Sequence, residues 1–205
     1  MGIDDPTWKV LGNSVQLDEG SKVYIKPAGL IDVINNVKQY PGIKDWIGNT
    51  DDWNEYLNNQ AGLKTAGGQR RRLGRFVMAC NVPAFEQSLK TQVSRLEKKS
   101  GNANVHFHVC SGLAGGTGAG TLIDVLAQIR KHYSPTNVSG YTITLYLFLP
   151  EQNPKQNRDT GFYHANGYAA LSELNALGVG AYIPIDISHA NTNTSSRFKN
   201  LDNPF

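Results

Sequence analysis

Five glycines fall within nine residues, 112–120, between an alternating apolar stretch and an apolar helical one. The segment reads Ser111-Gly112-Leu113-Ala114-Gly115-Gly116-Thr117-Gly118-Ala119-Gly120-Thr121. Ahead of it, Val105-His106-Phe107-His108-Val109 alternates as a half-buried strand does. Behind it, Thr121 to His132 reads as a helix, with Leu122, Ile123, Leu126 and Ile129 on one face and Arg130-Lys131-His132 at its end, where cations suit the helix dipole. A strand that passes through glycines into a helix brings backbone N–H groups and the positive end of the dipole to one point. Thr117 and Thr121 add hydroxyl donors. The chemistry is that of a phosphate cradle, and its competing explanation is tight packing alone. A second cluster, Gly62, Gly67, Gly68 and Gly74, brings nine of the 21 glycines into the windows 62–74 and 112–120.

The flanking pattern predicts the architecture. Val23 and Ile25 suggest a short strand, and Leu30 to Val37 a short helix; Trp46, Trp53, Tyr56 and Leu57 make an aromatic stretch. A helix is expected over Gln69 to Cys80. A second helix follows Pro83, with Phe85, Leu89, Val93 and Leu96 as one stripe and Gly101 closing it. Tyr141 to Leu149 reads as a central strand buried on both faces. Phe162 to Leu177 reads as a helix, and Gly180 to Ile187 as a last short strand. Helices alternating with apolar strands argue for an α/β fold, a three-layer sandwich around a mainly parallel sheet. In such sheets ligands bind beyond the carboxyl ends of the strands, where the glycine loop lies.

The P-loop pattern GxxxxGK[ST] fails for want of a lysine, and GxGxxG fails because residue 121 is threonine. What remains, Gly115-Gly116-Thr117-Gly118-Ala119-Gly120, resembles the GGGTG[ST]G signature of the tubulin and FtsZ superfamily, with Ala114 and Ala119 as departures. Gly62 to Arg75 (GLKTAGGQRRRLGR) is similar to the FtsZ segment GLGAGGNPxxGR. Taken with Ala165-Asn166-Gly167-Tyr168-Ala169-Ala170-Leu171-Ser172-Glu173-Leu174, the two clusters resemble the bacterial "tubulin-like" family over residues 60–178.

The resemblance implies a GTP-binding, cytoskeletal domain over 1–205. Gly115, Gly116, Thr117, Gly118, Ala119 and Gly120 would cradle phosphates. Gly67, Gly68 and Gln69 would meet the terminal phosphate, Mg²⁺ would bridge phosphate oxygens, and GTP or GDP would be the ligand. Glu151, after the next strand, is favoured over Asp159 for the ribose. Asn166 is a candidate nucleotide contact. So is Arg70, although the residues leave open which of Arg70, Arg71, Arg72 and Arg75 faces the site. The family assembles head to tail and completes GTP hydrolysis with an acidic loop of the neighbouring subunit. Its first strand with a GxGGxG-type loop, its base-stacking helix and that acidic loop have no counterpart in this sequence. The chain is therefore expected to be an internal fragment that does not turn over GTP alone. Two alternatives stand beside this reading: a nucleotide-free scaffold of the same fold, and an unrelated α/β enzyme with a phosphate-bearing substrate.

Composition narrows the remaining classes. The 20 basic and 17 acidic residues leave a net charge of +3, too balanced to argue for direct nucleic-acid binding. There is no apolar run of transmembrane length and no signal-peptide pattern, so no membrane partner is expected. The two cysteines, Cys80 and Cys110, suit a reducing, cytoplasmic compartment. His106 and His108 share one strand face at a spacing metals use, but no third ligand is near. They are expected to lie beneath a covering helix.

Overall fold

A computed structural model describes residues 8–15, 23, 29–50, 69–101, 104–133, 140–154, 159–188 and 198. Most of the expected strand at Val23–Ile25, Trp53, Tyr56 and Leu57 of the aromatic stretch, and Gly62, Gly67 and Gly68 lie outside these residues. The elements run β1 (Trp8–Val10), β2 (Asn13–Val15), α1 (Leu30–Asn35), a 3₁₀ turn (Val37–Gln39), α2 (Pro41–Ile47), α3 (Arg71–Ser100), β3 (Val105–Gly112), α4 (Gly116–His132), β4 (Tyr141–Phe148) and α5 (Tyr163–Gly178). β1 and β2 form an antiparallel ribbon. β3 and β4 are parallel and in register from Val105 opposite Tyr141 to Gly112 opposite Phe148, with α4 as the crossover. The class is α/β with a parallel sheet, as read from the sequence.

The helices expected on either side of Pro83 are one continuous helix, α3. Proline removes the hydrogen bond that residue 83 would give the Ala79 carbonyl. Here the ring is exposed, while Phe76, Ala79 and Val82 on the turns before it pack with α1 and α2 around Leu30, Ile34, Ile43 and Ile47. Packing along the whole face outweighs one lost bond. Gly101 ends α3 in the left-handed conformation (φ 66°), its N–H donating to the Glu97 carbonyl. Of the expected stripe, Val93 is buried but Leu96 is 52% exposed.

α4 is the central helix. Leu122 and Leu126 pack with Leu113 and Ala170 and against Val109, Ile143, Leu145 and Leu147, so one sheet face, α4 and α5 share a core. A smaller aromatic cluster closes the far end of the sheet, where Phe107, Tyr133 and Tyr141 lie ring to ring at 4.9–6.0 Å. The other sheet face is open. β4 is buried on one face only, with Thr142, Thr144, Tyr146 and Phe148 turned outward, which corrects the reading of it as doubly buried. Its β-branched, aromatic and leucine composition hid this, since Tyr146 and Phe148 are large and largely apolar side chains on outward positions. Nor do His106 and His108 lie under a helix: both are exposed beside Thr142 (Nδ1 to Oγ1, 2.5 Å) and Tyr146 (Nδ1 to hydroxyl, 3.2 Å). No cluster of three metal-ligating side chains occurs among the described residues. After α5 the expected strand is reduced to a single bridge residue, Ile185.

Candidate functional site

β3 reaches Gly112, a three-residue bend follows, and α4 starts at Gly116, inside the glycine run and five residues before the expected Thr121. No side chain caps the helix. The N–H groups of Gly115, Gly116, Thr117 and Gly118 are those a helix leaves without an internal acceptor. Ala119 and Gly120 lie beyond them, in the part of the first turns whose N–H groups bond within the helix. The bend is tied to the sheet by the Leu113 N–H, which donates to the Phe148 carbonyl at 2.9 Å.

The glycines divide by what surrounds them. A Cβ on Gly116 would stand 2.7 Å from the Arg70 backbone, and one on Gly74 would strike the Gly116 carbonyl. Gly118 would strike the Gly112 carbonyl, and Gly120 the Arg71 carbonyl. These glycines let the first turns of α3 and α4 and the end of β3 meet backbone to backbone. Gly112 and Gly115 meet nothing within 4 Å, so the open side of the loop lies there.

Three segments converge on this loop through α5. The buried Asn166 donates from one amide nitrogen to the Gln69 carbonyl (2.7 Å) and the Ala114 carbonyl (3.0 Å). Gln69, just ahead of α3, is left-handed (φ 57°), a conformation costly for a non-glycine residue and held only where surroundings fix it. Its Oε1 accepts from the Thr160 N–H (3.1 Å) and hydroxyl (3.0 Å). Asp159, the alternative ribose acceptor, accepts from the N–H groups of Gly161 and Tyr163 and so caps α5. Glu151 is exposed, and its carbonyl accepts from His164 Nε2 at 2.9 Å. Gln69, Asn166 and the glycine loop are thus adjacent, with Glu151 tied to the first turn of α5.

Arg71, Arg72 and Arg75 each bond within the protein. Arg71 forks onto the Glu173 carboxylate (3.1 and 2.5 Å) and the Ala119 carbonyl (3.2 and 2.9 Å). Arg72 donates to the Ile47 carbonyl at 3.3 Å. Arg75 grips the buried Asp124 through two bonds, 2.8 and 3.0 Å, and lies 4.3 Å over the Trp46 ring. Burial alone would lower the pKa of Arg75, but the Asp124 carboxylate outweighs it and keeps the guanidinium charged. These arginines line a cleft of about 340 Å³ with Trp46, Asp124, Glu173 and Tyr182, and two of the three are already matched by carboxylates. Arg70, at the start of α3, is exposed. Sequence reasoning missed Asp124, although an aspartate between Ile123 and Leu126 on an apolar face signals a buried cation partner. Both cysteines are free, and burial pushes the Cys80 thiol up to about 12.

The described residues thus build a parallel β–α–β unit whose glycine-rich strand–helix turn packs on a second glycine-bearing helix start, a domain of the α/β class. The family model described as "Tubulin like" matches residues 3–203, and the chain belongs to that family. No curated protein and no solved structure matches it. No helix among the described residues is long and apolar enough to cross a membrane.

Proposed function

We propose that the chain is a guanine-nucleotide-binding, tubulin-like domain. One observation carries the reading. The uncapped start of α4 opens beside Gly115, next to the Gln69 turn that the resemblance assigns to the terminal phosphate. The N–H groups of Gly115, Gly116, Thr117 and Gly118 would meet phosphate oxygens, an arrangement favoured by the helix dipole. The Thr117 hydroxyl is exposed on the first turn of α4. Gly67, Gly68 and Gln69 would close over the terminal phosphate, Arg70 would add charge at its rim, and Glu151 would accept from ribose hydroxyls. Mg²⁺ would neutralise the phosphate oxygens. Head-to-tail assembly in the cytoplasm, with GTP hydrolysis completed by a neighbouring subunit, extends the family resemblance.

A nucleotide-free scaffold is the second reading, favoured by the packing that accounts for Gly116, Gly118 and Gly120 without any ligand. Titration of fluorescent GTP with Mg²⁺, competed by ATP, separates the two. Saturable binding displaced by GTP and not ATP supports the first. No binding, in a chain that assembles by light scattering, supports the second.

A further inference from the structure

We infer that Asn166 is a positioning residue, and that the first turn of α5 sets the separation of the two glycine-bearing segments. This rests on the nucleotide-site reading above and replaces direct contact with Asn166 by a supporting role. The side chain is 5% exposed, and its one NH₂ group serves two acceptors from distant parts of the chain, the carbonyls of Gln69 and Ala114. Both neighbours are acceptors only, so the NH₂ end must face them. Aspartate, of the same shape, would set a carboxylate against two carbonyl oxygens; alanine would leave both carbonyls without this donor.

The neighbouring residues carry the same role. His164 donates to the Glu151 carbonyl at 2.9 Å, holding the exit of β4. A Cβ on Gly167 would stand 2.6 Å from Pro150, so glycine lets that exit lie against the helix. One turn of α5 therefore gathers the start of α3, the bend before α4 and the end of β4. The Ala165-Asn166-Gly167 motif, which by composition is an ordinary small-residue helix start, has this junction as its physical reason. Gln69 is the most dependent member, because its left-handed backbone is fixed by Asn166 on the carbonyl and by Thr160 on the side chain.

The test compares wild type with Asn166→Ala, and with Asn166→Ser, which keeps a hydroxyl donor, should the alanine variant fail to fold. Amide hydrogen exchange is measured without nucleotide, and fluorescent GTP is titrated separately. Exchange is expected to rise about tenfold in segments 69–74 and 113–119, read at the amides bonded there, Gly74 to the Arg70 carbonyl and Leu113 to the Phe148 carbonyl, while the amides in the middle of β3 and β4 stay as protected as in wild type. Affinity for GTP is expected to fall about tenfold. Unchanged exchange in both segments, or a uniform rise across the chain, overturns the inference. Wild type that binds GTP alongside a variant that binds it equally well overturns the inference and leaves the nucleotide reading standing. Wild type that binds no GTP defeats the nucleotide reading, while the exchange result still decides whether Asn166 positions the loops.

Discussion

Gly116 and Arg70 meet backbone to backbone: a Cβ at residue 116 would lie 2.7 Å from the nitrogen and carbonyl oxygen of Arg70. Backbone cannot swing aside as a side chain can. Gly116→Ala is therefore expected to destabilise the fold by about 1–3 kcal/mol or to abolish folding. Gly115→Ala, one residue away and facing open space, should leave the midpoint of thermal unfolding almost unchanged. Equal melting temperatures for the two variants would contradict this division of the loop.

Arg75 and Asp124 form the ion pair least able to lose a partner. Asp124 is 2% exposed, and Arg75 is stacked on Trp46. Asp124→Ala leaves a buried guanidinium uncompensated and is expected to cost about 3–5 kcal/mol in chemical denaturation. The neighbouring pair is more exposed at its carboxylate, so Glu173→Ala should cost only about 0–1 kcal/mol.

How far such residues were legible depends on whether the signal was local. β3, α5 and the Gly101 cap follow from neighbours in sequence, and each lies where periodicity and turn chemistry put it. The start of α4 was misjudged by five residues, because glycine is a poor helix former and packing on α3 overrides that propensity. Pro83 sets a helix boundary only by a local rule, whereas Phe76, Ala79 and Val82 before it and Phe85 and Val93 after it are held by packing against other elements. The partners of Arg71 and Arg75, the link from Gln69 to Thr160 and the role of Asn166 span 48 to 102 residues, and no local pattern carries them. The open sheet face was hidden because Tyr146 and Phe148 read as core residues by composition.

Pro83 itself gives a simple test of α3. The ring is exposed, and its cost is the missing bond to the Ala79 carbonyl. Pro83→Ala is expected to raise stability by up to about 3 kcal/mol, seen as a higher thermal midpoint. A lower midpoint would mean that the proline is required for the course of the helix.

Acid sensitivity should come partly from Asp186. Burial alone would raise its pKa, but hydrogen bonds from Ser188, Gln128 and Lys131 outweigh it and hold the carboxyl below the ordinary value of 3.8. The folded-state value is depressed, so the stabilisation is present above the unfolded-state value and lost as pH falls through the folded one. The stability difference between wild type and Asp186→Asn should hold constant from about pH 8 to about pH 5 and shrink below about pH 4. A difference that instead grows on acidification contradicts the sign.

The account rests most heavily on the open side of the glycine loop. Gly115 has φ −85° and ψ 164°, which valine adopts readily, and its Cβ would project into unoccupied space. The decisive measurement is therefore a titration of fluorescent GTP, with Mg²⁺, against wild type and Gly115→Val. The account predicts saturable binding to wild type and a loss of about tenfold or more in the variant, with thermal midpoints that coincide. Equal affinity in two equally stable proteins would contradict the assignment of this loop as the phosphate cradle.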